Sequence, residues 1–178
     1  MGDSLRDKVA TITGGAGGIA SRIARAYARE GARVVVASRK RENLEIIVDG
    51  IVASGREAIA VAADVTNPED VEALVQATQD SFGAADIMAN NAGGAMFMKP
   101  PEKLKPEEWD ATIAVNLSSA FFFSQAVSHG MIEKKGRKII NISSVAGVRM
   151  SPSSIQYGAA KAGVINLTKS LASCWGPY

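Results

Sequence analysis

The chain contains few of the side chains from which disulfides and metal sites are built. Its 178 residues include one cysteine and one histidine. A single cysteine cannot form an internal disulfide, and we expect Cys174 to be a packed free thiol in the reducing cytoplasm. A metal site needs more ligands than His129 can supply, so we predict none.

Long apolar runs and strong charge of one sign are also missing. No apolar stretch reaches the roughly 20 residues that span a membrane, and residues 1–8 lack the apolar core of a signal peptide. A formal net charge of +2 does not favour a nucleic-acid partner. With 47% hydrophobic and 21% charged residues, the composition is typical of a globular protein, and we expect a single domain over residues 1–178.

Strand and helix patterns alternate along the chain. Short apolar, β-branched runs predict strands, and apolar residues at helical spacing predict the helices between them. The predicted strands cover residues 8–13, 33–38, 59–61, 86–90 and 138–142. Repeated βα units predict an α/β fold of the Rossmann type, a doubly wound parallel sheet with helices on both faces.

A glycine-rich turn at residues 14–20 joins the first predicted strand to the first predicted helix. Glycines permit a tight turn and a close approach to phosphate, and the helix N-terminus supplies N–H donors. A glycine run alone could be only a flexible loop. Because a strand precedes this one and a helix follows it, we interpret Gly14, Gly17, Gly18 and Ile19 as part of a dinucleotide site. Ile19 also starts the predicted apolar face of the helix.

A tyrosine and a lysine four residues apart form the most informative pair. Tyr157 and Lys161 lie within a helical pattern, and residues i and i+4 share one face of a helix. A free phenol, with a pKa of about 10, transfers protons poorly near neutrality. A nearby positive charge favours its ionised form, which would allow the pair to serve as a general acid/base. Taken alone, the pair is more simply explained as part of an amphipathic surface helix.

The end of the second predicted strand indicates which cofactor binds. An acidic side chain there binds the ribose hydroxyls of NAD, but the sequence has Ser38 followed by Arg39, Lys40 and Arg41. An arginine can pair with a 2′-phosphate, and positive charge is otherwise unfavourable at a helix N-terminus. We therefore predict that Ser38 and Arg39 bind NADP(H) in preference to NAD(H). The alternative is a solvated helix entrance.

Four motifs follow one another in a characteristic order. They are Thr13-Gly14-x-x-x-Gly18-Ile19-Ala20, Asn90-Asn91-Ala92-Gly93, Ile142-Ser143-Ser144 and Tyr157-x-x-x-Lys161. In order and spacing they resemble the short-chain dehydrogenase/reductase family, over essentially the whole chain. Two features differ from the family pattern. Ala20 replaces the third glycine of the turn, and the chain ends at Tyr178, where family members continue through further strands and a substrate loop.

The resemblance implies a role for each catalytic residue. Tyr157 would donate a proton to a carbonyl or remove one from an alcohol, and Lys161 would hold the nicotinamide ribose and favour the ionised phenol. Ser144, rather than its neighbour Ser143, would hydrogen-bond the substrate oxygen. Asn116 would interrupt the long helix after the fourth strand and hold a water that links Lys161 to solvent. The alternative is an asparagine that is exposed or bonds across helices.

The resemblance also places further residues around the dinucleotide. Asp64 and Val65 would contact the adenine, and Asn91, Ala92 and Gly93 would lie beside the ribose. Without the resemblance, Asp64 would be interpreted as a turn acid and Asn91 as a backbone cap.

The implied function is an NADP(H)-dependent oxidoreductase that interconverts a carbonyl and a secondary alcohol of a small molecule by hydride transfer. Two other hypotheses remain, a dinucleotide-binding module without turnover, because the chain is short, and a non-enzymatic scaffold. Residues 95–98 could line an apolar substrate pocket. The consecutive residues Phe121, Phe122 and Phe123 predict a helix buried on more than one side, and the fifth strand would be a bare sheet edge. We therefore expect a homo-oligomer, a dimer or a tetramer.

Overall fold

Five parallel strands form one sheet in the order β3-β2-β1-β4-β5. The computed structural model describes residues 3–178, so Met1 and Gly2, which begin the segment expected to lack a signal peptide, lie outside it. The strands are β1 Val9–Thr13, β2 Arg33–Ser38, β3 Ala58–Ala62, β4 Ile87–Asn90 and β5 Lys138–Asn141. The central strands β1 and β2 are buried almost throughout, which explains why they are continuous apolar, β-branched runs.

Helices cover both faces of this sheet. They are α1 Gly18–Arg29, α2 Glu42–Val52, α3 Pro68–Phe82, α4 Pro106–Ile113, α5 Ser119–Lys134 and α6 Ile155–Trp175. One apolar core joins α1 and α2 to the sheet, and a second joins α3 and α5 to the opposite face. The predicted Rossmann-like, doubly wound fold is confirmed, and its strand order reverses between β1 and β4. Ligands of such sheets bind at this switch point, beyond the carboxyl ends of the strands.

The apolar face of α1 agrees with the predicted one only in part, because Ile23 and Tyr27 pack against the core but Ile19 does not. The buried residues are Ala20, Ala24 and Ala28, whereas Ile19 is 60% exposed. Small side chains let the helix lie close to the sheet. Ala20, which stands where the motif of the resembled family has its third glycine, has no exposed surface, so its methyl group fits between α1 and the sheet. Ile19 is therefore an apolar side chain on the open side of the glycine turn.

Two other surface features bear on the expectations. Cys174 is a free thiol but is exposed, so the prediction of a packed cysteine is wrong; it lies in the last turn of α6, where little of the chain covers it. Phe123 is buried, while Phe121 and Phe122 each remain 37% exposed, so α5 does present aromatic surface on more than one side. The expected oligomer remains a prediction. None of the helices described for residues 3–178 is both long and apolar enough to cross a membrane.

Candidate active site

A cleft of about 520 Å³ opens at the carboxyl ends of the strands. Many of the residues predicted to bind the cofactor line it together, namely Gly14, Ser38, Arg39, Asp64, Val65, Ala92 and Gly93. They come from the ends of four different strands, and only the parallel sheet brings them to one edge. The remaining candidates lie at the N-terminus of α1, on the loop after β4 and on α6.

The glycine turn has the geometry that a bound phosphate requires. Gly14 adopts φ +69°, and a Cβ there would lie 2.9 Å from the Ala92 Cα, so neither the conformation nor the space admits a side chain. Gly17 is the N-cap residue of α1 and provides no side-chain cap, and the first turn of the helix holds no acid. The space in front of Gly18 is open, with nothing within 4 Å of a built Cβ. Uncapped N–H donors facing open space fit the pyrophosphate of a dinucleotide.

Hydrogen bonds between Thr13 and Asn91 join this turn to the end of β4. The Thr13 hydroxyl accepts from the backbone N–H groups of Asn91 and Ala92, at 3.1 and 3.2 Å. The Asn91 amide in turn donates to the Thr13 carbonyl oxygen at 3.1 Å. Asn91 therefore supports the cleft wall through the backbone, as the simpler interpretation of this residue suggested. Thr13 is part of the glycine motif, but it was not predicted as a site residue, because a threonine at the end of a strand is typical of any strand.

The basic residues after β2 have separate roles. Helix α2 begins at Glu42, with Glu42 and Glu45 in its first turn, and Arg41 pairs with Glu45 at 3.1 Å. These acids complement the helix dipole, so the expected mismatch of charge at the helix start is wrong. Arg39 differs from Arg41 because it lines the cleft and is exposed there. Ser38 shapes the turn, since its hydroxyl donates to the Lys40 carbonyl oxygen at 3.2 Å.

Asp64 lines the same cleft as Arg39. Its carboxylate accepts from the backbone N–H and the hydroxyl of Thr66, at 2.9 and 2.7 Å. These two hydrogen bonds hold the pKa of Asp64 below its usual value, and the charge of Arg39 lowers it further. Asp64 is thus both a turn acid and part of the cleft lining.

The predicted catalytic pair, Tyr157 and Lys161, lies on one side of α6. The Lys161 Nζ is 5.8 Å from the centre of the Tyr157 ring, within the range of a cation–π contact. Lys161 is only 4% exposed and donates to the Ile142 carbonyl oxygen at 2.8 Å. Burial lowers the pKa of Lys161. An ammonium has three donors, and this bond to the end of β5 uses one of them.

Ser143 and Ser144 follow β5, and their hydroxyls point to different partners. The Ser143 hydroxyl donates to the Lys161 carbonyl oxygen at 2.8 Å, so it fastens the loop to α6. The Ser144 hydroxyl accepts from the backbone N–H of Ala146 at 3.2 Å. Among residues 3–178 the Ser144 hydroxyl has no acceptor for its own proton, which leaves that proton available to a substrate oxygen.

Gly147 permits the contact that places this loop against α6. A Cβ at Gly147 would lie 2.7 Å from both the carbonyl carbon and the oxygen of Lys161. Because those are backbone atoms, no side chain could move to make room. Gly147 was not predicted as a site residue from the sequence, because no local turn signal marks it and its partner lies fourteen residues farther along the chain.

Asn116 lies where the long helix is interrupted. A π-helical turn, Ala114–Ser118, separates α4 from α5, as the sequence predicted. The buried Asn116 side chain accepts from Gly94 N–H at 2.9 Å and donates to Gly94 and Thr112 carbonyl oxygens at 3.1 and 3.0 Å. A Cβ on Gly93 would collide with the Asn116 oxygen and lie 3.3 Å from the Lys161 Nζ. Asn116, Gly93 and Lys161 therefore converge, while the proposed water remains a prediction.

Comparison with known proteins agrees with this architecture. A family model described as short chain dehydrogenase matches residues 8–178. The chain is 40% identical over 173 residues to a 3-oxoacyl-[acyl-carrier-protein] reductase of Synechocystis, an alignment that covers 95% of this chain and 68% of that protein. It is 37% identical over 172 residues to D-threitol dehydrogenase of Mycolicibacterium smegmatis, covering 97% of this chain and 66% of that one.

A solved structure provides a further comparison. The crystal structure of a metagenomic short-chain oxidoreductase in complex with NADP matches with a TM-score of 0.91 and 39% sequence identity, covering 96% of this chain and 77% of that one. The family model and these relatives each match nearly the whole chain. The chain therefore belongs to the short-chain dehydrogenase/reductase family of oxidoreductases.

Proposed function

We propose that this protein is an NADP(H)-dependent oxidoreductase that interconverts a carbonyl and a secondary alcohol, with Tyr157 as general acid/base. The observation that carries the proposal is the placement of Lys161, whose buried ammonium lies 5.8 Å from the Tyr157 ring and is held by the Ile142 carbonyl. A buried charge is costly unless it has a partner, and one backbone carbonyl is a modest partner. We infer that the ammonium is retained to act on the phenol and on a bound ribose.

The residues around this pair have complementary tasks. NADP(H), when bound, supplies or accepts the hydride. Ser144 donates its hydroxyl proton to the substrate oxygen and fixes that oxygen beside Tyr157. In reduction Tyr157 gives its proton to the same oxygen, and the charge on Lys161 stabilises the phenolate that remains. In oxidation the same groups work in reverse.

The proposed cofactor site extends from Tyr157 and Lys161 to the end of β2. The pyrophosphate would lie at Gly14, Gly17, Gly18 and Ile19, and the adenosine between the Arg39 and Asp64 sides of the cleft, beside Val65 and residues 91–93. Support for NADP(H) over NAD(H) comes from Arg39, which lines the cleft and has no ion-pair partner among residues 3–178. We propose residues 1–178 as one domain that both binds the dinucleotide and carries the catalytic residues.

The test is the reduction of ethyl acetoacetate, a small 3-oxoester, which is monitored through the loss of NADPH absorbance. Tyr157→Phe keeps the ring and removes the transferable proton, so kcat should fall by at least about 100-fold while the Kd for NADPH changes little. Tyr27→Phe is the matched control, because this ring packs against the core on α1. Near-normal turnover by Tyr157→Phe would remove the phenol from the mechanism.

The alternative of a binding module or scaffold without turnover is not favoured, because relatives over nearly the whole chain are named as enzymes. It would gain support if the unmutated protein bound NADPH tightly but reduced neither keto esters nor simple ketones. The cytoplasmic location and the homo-oligomer stay part of the proposal, the latter resting on the exposed rings of Phe121 and Phe122.

A further inference from the structure

Two side-chain amides hold the loop that follows β4 along the cleft. Asn116 binds both backbone groups of Gly94. Farther along the loop, the Gln156 Nε2 donates to the Phe97 carbonyl oxygen at 2.8 Å. Met96 and Phe97 line the cleft, so the part of the loop that faces a ligand is fixed near both ends. Asn116 belongs to the family pattern described above, whereas Gln156 was not predicted from the sequence.

Gln156 is an unfavourable choice for a purely structural position. It is the second residue of α6 and has no exposed surface. Its Oε1 has no hydrogen-bond partner among residues 3–178, and neither has the buried hydroxyl of Ser154 nearby. A buried polar atom without a partner costs about 1–3 kcal/mol, and such atoms are rare in native proteins. A methionine would fill a similar volume without this cost.

The residue that Gln156 holds is itself strained. Phe97 adopts φ +37°, in the left-handed region that non-glycine residues seldom occupy, at a cost of about 1–3 kcal/mol. The unpaired amide oxygen and the strained backbone therefore belong to the same contact, at the wall of the cleft. Local strain of this kind persists where the surrounding structure enforces it, and it concentrates at functional sites.

We propose that Gln156 is a positioning residue for the substrate side of the active site. By holding the Phe97 carbonyl, it fixes the Met96 and Phe97 side chains relative to Tyr157, which is the next residue on the same helix. Consecutive helical residues point about 100° apart, so Gln156 can hold the loop while Tyr157 faces the reacting atoms. This role rests on the proposed function, and it assigns Gln156 to substrate recognition rather than to proton transfer.

Gln156→Met tests the proposal, with Ser154→Ala as the matched control. Ser154→Ala removes a neighbouring buried hydroxyl that makes no bond to the loop. In Gln156→Met we expect faster hydrogen exchange of the amides at 94–98 and a KM for ethyl acetoacetate raised about fivefold to tenfold, the effect of one hydrogen bond. The kcat should stay close to the unmutated value. Ser154→Ala should leave all of these measurements unchanged.

Three outcomes would overturn the role of Gln156. They are equal loop exchange in the two variants, faster exchange with an unchanged KM, and a fall in kcat without a rise in KM. If Gln156→Met does not fold, Gln156→Leu provides the same comparison. If the unmutated protein binds NADPH but does not reduce ethyl acetoacetate, the proposed function fails for that substrate, and the exchange comparison still decides whether Gln156 holds the loop.

Discussion

Gly147→Ala is the sharpest test of how the candidate catalytic residues are assembled. The added Cβ would lie 2.7 Å from the backbone carbon and oxygen of Lys161, against about 3.4 Å for an ordinary contact. The loop and α6 must therefore separate by roughly 0.7 Å, because neither contact atom belongs to a movable side chain. Gly147 does not have a positive φ, so the substitution adds no backbone strain, and its effect reports the steric contact alone.

The consequences of this separation follow from two hydrogen bonds. Ser143 reaches the Lys161 carbonyl oxygen at 2.8 Å, and a shift of this size would break or greatly weaken that bond. Overpacking costs about 1–3 kcal/mol and a lost hydrogen bond about 1 kcal/mol. In a domain of this size these costs correspond to a fall in Tm of about 4–16 °C. Ser144 would move with the loop, and a misplacement approaching 1 Å can reduce the rate by as much as about 100-fold.

Thermal unfolding and kcat/KM for ethyl acetoacetate measure both effects. Gly163→Ala is the matched control on the same helix, since its Cβ would meet the Leu117 side chain, which can rotate away. We expect kcat/KM to fall by at least about tenfold in Gly147→Ala and to change little in Gly163→Ala. A Gly147→Ala protein with the Tm and kcat/KM of the unmutated protein would refute the claim that this contact positions Ser144.

Three further predictions use matched pairs or pH. In fluorescence titrations, Arg39→Ala should weaken NADPH binding by about 1.5–3 kcal/mol and leave NADH binding unchanged. Arg41→Ala, which removes the partner of Glu45, should change the affinity for neither cofactor. Equal affinity of the unmutated protein for NADPH and NADH would contradict the role of Arg39. Ser144→Ala should lower kcat by about 100-fold with an unchanged Tm, whereas Ser143→Ala should lower the Tm, because it loses the hydrogen bond to α6. A large loss of kcat in Ser143→Ala and a lower Tm in Ser144→Ala would show that the two roles are assigned the wrong way round. Burial lowers the pKa of Lys161, so between that pKa and the ordinary lysine value the unfolded chain binds more protons than the folded one. The free energy of unfolding should therefore rise with pH across this interval in the unmutated protein, compared with Lys161→Met. Urea unfolding at neutral and alkaline pH measures this difference, and a fall in stability with rising pH would contradict the prediction.

Local patterns were sufficient to predict the fold. β1 and β2 are continuous apolar runs because both of their faces are buried, and α3 begins where Asn67 accepts a hydrogen bond from Glu69 N–H at 3.0 Å. Each of these signals lies within a few residues of the structure it determines. The alternation of strands and helices then leaves few arrangements open, because parallel strands require crossovers of one hand.

Patterns of hydrophobicity and charge failed at the first turns of two helices. Ile19 is apolar and correctly spaced for a buried face but is 60% exposed, because hydrophobicity alone cannot show which face of a helix start the sheet covers. The charge argument for Arg41 depended on where α2 begins. Once Glu42 opens the helix, Arg41 has its own acid one turn away, and the argument for a phosphate partner rests on Arg39.

The precise placement of the candidate catalytic groups depends on contacts between segments far apart in the sequence. Asn116 binds a backbone group twenty-two residues away, at Gly94, and Gln156 binds one fifty-nine residues away, at Phe97. No local signal encodes either contact, because each forms only when the loop after β4 lies against the helices that follow. Both amides hold backbone atoms rather than side chains. The side chains of Ala95 and Met96 can therefore change while the position of the loop is kept, which would allow substrate preference to change without moving Tyr157.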